Sequence, residues 1–477
     1  MQRSDGTATR GLLRLLVAFL VVAMPLASTT SASAAAERPD VIVIVTDDQR
    51  WDTMRYMPLT TAWLGTSFTQ AFVSNAGCCP SRTTIFTGAY SHTNGIWTNG
   101  GGEPGTTRHD YGGWARYDAL GLDTTSIPYM LQEGGYRTGH FGKFLNGFTA
   151  AGLDDLPLGW DEFAATGTGA GSVQGIRAPF YDYSLVGRHD GRYTVENYGG
   201  NPGDHSTVVL TDKAIGFLET STQPLLLHLA YNAPHSSAKG EPPIPAEEDV
   251  GSSVTLEPLA LNVNEADVSD KPAYIRRRQV IPQDAIERWR LEVARSLYGV
   301  DRGIDAVLSA QNERDPGLGN TLVIFMSDNG RMDGSHRWMA KGVPYEESIR
   351  VPLLVSWSGL AAGTVDHLVG NVDLAATIAE ATGVPFDAPD SISLLSGTRT
   401  YFVLESVGRT NGHCGVRTAS RKYVKYATGE VEFYNLNRGP FELVNHPNAH
   451  GAQRLYRIAK AACTGNLSPD WPPTTTY

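Results

Sequence analysis

Three apolar runs in this 477-residue chain end on polar residues able to do chemistry. Asp47 and Asp48 follow DVIVIVT (40–46), Asp328 and Asn329 follow TLVIFMS (321–327), and PLLLHLAY (224–231) leads through Asn232-Ala233-Pro234 into His235. The first four offer only hard oxygen donors, a set suited to Ca²⁺ or Mg²⁺ rather than Zn²⁺. Asp-Asp and Asp-Asn pairs also cap helices and turns, so spacing alone leaves metal binding and capping both open. A further stretch, NAGCCPSRTTIFTG (75–88), holds two of the four cysteines side by side. Adjacent cysteines do not meet ordinary disulfide geometry. Cys78 and Cys79 therefore either pair with distant partners or do chemistry. Cys414 and Cys463 are read as bridged to each other, with two free buried thiols as the alternative.

The elements that must hold these residues show in the pattern. The three runs are nearly uninterrupted and apolar, as in strands buried on both faces. Helical stretches separate them, at 207–219 and at 283–312, where Ile286, Trp289, Val293, Leu297 and Val300 recur at helical spacing. Strands alternating with helices predict a parallel or mixed α/β sheet. Ligands of such open sheets sit beyond the carboxyl ends of the strands. Three polar strand ends together predict an active-site edge.

Composition and the first residues bound the setting. Arg3, Arg10 and Arg14, the apolar LLRLLVAFLVVAMPL and the small residues SASAAAE read as a secretory leader, residues 1–36, removed on export. The uninterrupted apolar stretch is shorter than the ~20 residues of a membrane span, which weighs against an anchor. The product is expected to be secreted or extracytoplasmic, with no membrane span in the mature chain. Formal net charge is −11, and losing the basic leader makes the remainder more acidic. That excludes nucleic acid and anionic lipid as main partners, while a local basic pocket still accepts a small anion. The remainder exceeds one ordinary core, so a large domain with a smaller one is expected.

Cys78-x-Pro80-Ser81-Arg82, followed by Thr87-Gly88, resembles the C-x-P-S-R…T-G signature of the type I sulfatases, the formylglycine-dependent family. VTDDQ (45–49), Gly142-Lys143, Ala233-Pro234-His235, SDNG (327–330) and the stretch Lys341 through Pro352 are similar to further family elements, in family order. GKFLN (142–146) and CCPSR are most similar to the bacterial arylsulfatase and N-acetylglucosamine-6-sulfatase branch. Leu145 stands where many members carry histidine, with Asn146 next to it. The resemblance implies an alkaline-phosphatase-like α/β fold, a large mixed sheet flanked by helices over residues 37–385. It also implies a smaller C-terminal subdomain of antiparallel strands and a helix over 386–477, where KYVKYAT and VEFYNLN read as short strands.

The implied activity is hydrolysis of sulfate monoesters, of a sulfated sugar or an aryl alcohol. A formylglycine-generating enzyme would oxidise Cys78 to Cα-formylglycine, whose hydrate carries two hydroxyls. One attacks sulfur; the second lets the aldehyde reform and expel sulfate, which a serine could not do. The resemblance assigns Asp47, Asp48, Cys78, Asp328 and Asn329 to a divalent ion, Ca²⁺ or else Mg²⁺. Lys143 and Lys341 neutralise sulfate oxygens, Arg82 holds the hydrate and His235 protonates the leaving oxygen. His336 and Asn146 are expected at the substrate. Gly-rich loops at 99–113 and 165–175, and the polar stretch 236–276, are expected to wall the pocket. The rival readings are a phosphate or phosphonate monoester hydrolase on the same fold, and an exported binder of sulfated glycans without turnover.

Overall fold

The computed structural model describes residues 38–100, 111–167, 173–174, 179–222, 224–237 and 240–463. The expected leader and parts of both Gly-rich loops lie outside the described residues. Among the described residues no helix is long and apolar enough to cross a membrane.

Ten strands form one sheet: β1 Asp40–Thr46, β2 Thr66–Phe72, β3 Arg137–Gly142, β4 Glu162–Thr166, β5 Tyr183–His189, β6 Arg192–Tyr198, β7 Leu225–Ala230, β8 Thr321–Ser327, β9 Leu353–Ser356 and β10 Gly363–Gly370. Their order is β10-β2-β9-β8-β1-β7-β3-β4-β5-β6. The central β8-β1-β7-β3-β4 block is parallel, and β9, β5 and β6 join antiparallel, so the sheet is mixed as expected. The three apolar runs became β1, β7 and β8, at its centre. Side chains alternate across a strand. Val41, Val43 and Val45 of β1 accordingly enter one core, while Ile42 and Ile44 enter the other. Both faces need covering, and helices cover both. Ser206–Thr220 and Gln283–Arg314, within a residue or two of the expected spans, pack Leu210, Phe217, Trp289, Leu297 and Ile304 on one face. Leu374–Thr382 adds Leu374, Ala375 and Ile378 to the other.

Register then fixes the edge. Val45 lies opposite Ala230, and Thr46 opposite Ser327. Asp47 and Asp328 thus leave the sheet side by side. Gly142, the last residue of β3, lies opposite Ala230 with φ +117°, and a Cβ there would fall 1.9 Å from the Ala230 carbonyl oxygen. Only glycine fits, and it delivers Lys143 to the same edge.

The β5–β6 hairpin was not anticipated. Its turn is Asp190-Gly191, with φ of +48° and +71° between paired His189 and Arg192. Asp-Gly with both residues left-handed is a strong short-range hairpin signal, and it was present in the sequence.

A second sheet of four antiparallel strands, β11 Phe402–Ser406, β12 His413–Arg417, β13 Arg421–Tyr426 and β14 Val431–Asn435, follows. KYVKYAT and VEFYNLN supply most of β13 and β14. The helix His450–Ala462 packs on it through Ala452, Leu455 and Ala459. Cys463 at its end is disulfide-bonded to Cys414 of β12, Cα atoms 6.4 Å apart.

Candidate active site

Cys78 opens the helix Cys78–Thr87, all ten residues of which are buried. The helix stands beneath the polar strand edge, and its first turn meets the residues that β1, β3 and β8 deliver. Lys341 Nζ lies 2.7 Å from Cys78 Sγ, Lys143 Nζ 3.2 Å, and Asp47 Oδ1 3.6 Å. Lys143 also pairs with Asp47, and Lys341 with Asp48. Arg82, one turn into the helix and 1% exposed, donates from Nε to Asp328 Oδ2 at 2.9 Å and from Nη1 to the Lys143 carbonyl at 2.7 Å. Helix, β3 and β8 are tied together through that one side chain.

Asp48 takes the left-handed backbone, φ +66°, which a non-glycine residue adopts at some cost. Its amide donates to Asp328 Oδ1 at 3.2 Å, and its Oδ1 accepts from Asn329 Nδ2 at 2.7 Å. Arg331 donates to the other oxygen at 3.1 Å while its guanidinium lies 4.0 Å over the Trp289 ring. His235 Nδ1 donates to the Ser236 carbonyl at 2.8 Å. That bond sets the tautomer of the neutral ring and turns Nε2 toward Asp48, 3.8 Å away.

Burial would raise the Asp47 and Asp48 carboxyls, but Lys143, Lys341 and His235 outweigh it and hold both below the usual range. Asp328 goes the other way: burial and the Asp47 charge raise it despite Arg82. Burial and Asp47 push the Cys78 thiol up to about 11 against the pull of both lysines, so it is not a thiolate. Burial lowers His235. Ligand atoms of Asp47, Asp48, Cys78 and His235 all lie within 4.8 Å of one another. Three buried carboxylates, Asp47, Asp48 and Asp328, and the Asn329 amide are a donor set that fits a hard divalent ion, whose charge would offset theirs.

The structure thus brings Asp47, Asp48, Cys78, Arg82, Lys143, His235, Asp328, Asn329 and Lys341 together. Asn146 lines the adjoining cavity. His336 does not line that cavity: fully buried, it bonds Glu265 at 2.6 Å and stacks on Tyr345 with ring centroids 4.2 Å apart. A turn histidine near a lysine of the site carries no sign of which way it faces. Arg331 and Asn232 escaped sequence reasoning as site residues. Each sits within a few residues of a strand end that was noticed, and that proximity was the available signal.

The cavity beside Cys78, about 470 Å³, is walled by the Phe144–Thr149 turn, the ends of β4 and β5, and Asn232 through Ser237.

A mixed sheet with a polar carboxyl edge, helices on both faces and a small antiparallel sheet is an alkaline-phosphatase-like architecture. A solved protein in complex with its substrate D-glucosamine-2-N,6-O-disulfate has the same fold, with TM-score 0.69 at 21% identity over 92% of this chain and 100% of that one. The sequence profile of the family described as Sulfatase matches residues 39–384, and that of N-sulphoglucosamine sulphohydrolase, C-terminal, matches 334–462. The chain belongs to the sulfatase family. It is 33% identical to an arylsulfatase of Volvox carteri over 404 residues, 76% of this chain but 59% of that one. It is 25% identical to an N-acetylglucosamine-6-O-sulfatase of Bacteroides thetaiotaomicron over 522 residues, 88% of this chain and 86% of that one. The chain spans under two thirds of the length of the Volvox relative.

Proposed function

We propose that this chain hydrolyses sulfate monoesters of a sugar or aryl alcohol, using Cys78 oxidised to Cα-formylglycine. The observation that carries the reading is Cys78 Sγ held between Lys341 and Lys143, at 2.7 and 3.2 Å, with Lys143, Asp47 and His235 lining the adjoining cavity. A hydrate oxygen at that position is the nucleophile, and its setting suits an anion about to form. The helix N-terminus at Cys78 favours negative charge, and Arg82 behind it adds more. Lys143 and Lys341 neutralise the sulfate oxygens, which are otherwise repelled by the acidic strand edge. His235, with the Nδ1 proton committed to the Ser236 carbonyl, presents a bare Nε2 that can take the proton leaving the attacking hydroxyl and return it to the departing alkoxide. Asp47, Asp48, Asp328 and Asn329 would hold the divalent ion, Ca²⁺ or else Mg²⁺, because the donor set is all oxygen. When bound, that ion supplies Lewis-acid polarisation of the sulfate and of the nucleophile.

The reading includes an exported protein: leader 1–36, catalytic domain 37–385, C-terminal subdomain 386–477, and a formylglycine-generating enzyme acting on Cys78. Protein made in a host with that activity should yield a Cys78 peptide about 18 Da lighter than the thiol form. It should turn over aryl sulfate far better than the matched aryl phosphate. A thiol at residue 78 in fully active protein refutes the nucleophile. Preference for the phosphate ester makes the chain a phosphomonoesterase, and glycan binding without turnover makes it a lectin-like binder.

A further inference from the structure

A buried carboxylate is paired with a cation or bound to a metal, because an isolated charge is too costly to keep from water. Glu347, 3% exposed in the short helix Glu346–Ile349, has no cation beside it. Its Oε1 accepts one hydrogen bond, from Asn262 Nδ2 at 2.7 Å, and its Oε2 has no partner. Among the described residues no lysine or arginine pairs with it: Arg417 serves Glu346, Lys422 serves Glu346 and Glu442, and Lys271 serves Glu265 and Asp270. One ligand atom each from His336, Glu347 and Glu442 lie within 4.8 Å of one another, all three residues buried. His336 Nδ1 donates to Glu265 Oε2 at 2.6 Å, so the neutral ring keeps a bare lone pair on Nε2. A carboxylate behind Nδ1 is the usual device that fixes the tautomer of a metal-binding histidine. Asn262, fully buried, lies against both: its Nδ2 is 3.4 Å from His336 Nε2, and its Oδ1 has no partner.

We propose that His336, Glu347 and Glu442 hold a second divalent ion, of the zinc or manganese type, separate from the site at Cys78. One imidazole nitrogen with carboxylate oxygens suits those metals, whereas Ca²⁺ takes oxygen alone. An ion at the centre of a triangle with sides of 4.8 Å lies ~2.8 Å from each corner, so ~0.6 Å of inward movement gives bonds of ~2.2 Å. A half-turn of the Asn262 amide offers Oδ1 as a fourth ligand. Glu442 is shared, its Oε2 accepting the Glu346 amide at 2.9 Å while it also pairs with Lys422, and carboxylate oxygens keep lone pairs beyond those. The ligands come from two parts of the fold. His336 and Glu347 flank Lys341 in the chain, and Glu442 follows β14 of the small sheet. The ion would staple the segment that presents Lys341 to the C-terminal sheet, and closure by protein on all sides makes the site structural. This inference is independent of the sulfate-ester reading.

The test uses the full chain, expressed in medium containing Zn²⁺ and Mn²⁺ and purified without chelators. Elemental analysis should find about one equivalent of zinc or manganese per chain. Asp328→Ala, altered only at the strand edge beside Cys78, should keep that equivalent. Glu347→Gln, which keeps the shape of the side chain and removes its charge, should lose it. Anomalous scattering from wild-type crystals at the zinc and manganese absorption edges should place the ion among His336, Glu347 and Glu442, a measurement that needs no variant to fold. Only trace amounts of both metals in the wild-type protein overturn the proposal. So does an anomalous signal confined to the surface or to the Asp47 edge, or a full equivalent retained by folded Glu347→Gln. None of these outcomes bears on whether the protein cleaves sulfate esters.

Discussion

Two regions of this molecule bury several charges each, and they do opposite things with them. Around Glu432 and Glu346, at the small sheet, the charges are consumed internally. Glu432 accepts hydroxyls from Tyr345, Tyr426 and Tyr434, and Glu346 is held by Arg417 at 3.1 Å and Lys422 at 3.3 Å. Around Cys78 the cations converge on a single sulfur, and Asp47 and Lys143 beside it line a cavity. The first arrangement is packed inside the fold; the second adjoins space that a substrate can enter. Burial of charge by itself therefore says nothing about chemistry. What distinguishes a site is a cavity that reaches its charged groups.

The comparison can be broken most severely at residue 78. Cys78→Ala should abolish turnover, while Cys78→Ser should release at most one equivalent of alcohol and retain sulfate covalently on the serine. Sustained turnover by the serine variant, against a clean alanine control, would show that two hydroxyls are unnecessary. Next in size is the ion: exhaustive chelation should abolish turnover of sulfate esters, Ca²⁺ or Mg²⁺ should restore it, and Asp328→Ala should resemble the chelated protein. Full activity of metal-free protein, checked by elemental analysis, would remove the ion from the site.

At the small sheet the expected losses are of stability. Glu346→Ala should cost about 3–5 kcal/mol in denaturant unfolding, because Arg417 is left buried without its carboxylate, while Lys422 keeps Glu442. The pH dependence has a definite sign. Burial would raise Glu346, but Arg417 and Lys422 hold it well below its ordinary 4.5. Its contribution is thus present above about pH 4.5 and lost as pH falls below that value. Thermal melting of Glu346→Gln should converge on wild type in acid; a constant difference across pH would contradict the pairing. The smallest expected effect is from Cys463→Ser, about 2–4 kcal/mol for a crosslink across 49 residues.

The sequence was most informative where one physical requirement dominated. Strands β1, β7 and β8 are buried on both faces and so had to be continuous apolar runs. The helix Gln283–Arg314 faces the core on one side only and so had to repeat at helical spacing. The polar edge was legible because three such strands end in polar residues, and their register does the rest. The other seven strands of the large sheet were not read from the sequence; β6, for example, lies at one edge and is only half-buried, so no continuous apolar run marks it. Arg331 was missed for a different reason. Spacing gives position along the chain but not direction, and its guanidinium reaches Asp48 only because Trp289, on a distant helix, supports it. The same lack of direction hid the burial of His336.

The complete burial of the helix Cys78–Thr87 has a consequence for the order of events in the life of the chain. No residue of CCPSR or of the turn that follows is open to another protein once the sheet and its helices have closed over it. If the proposed oxidation of Cys78 is carried out by another protein, that protein must therefore reach the segment before the sheet and its helices close over it. Folding then acts as a deadline: a molecule that folds with the thiol intact is sealed in that form.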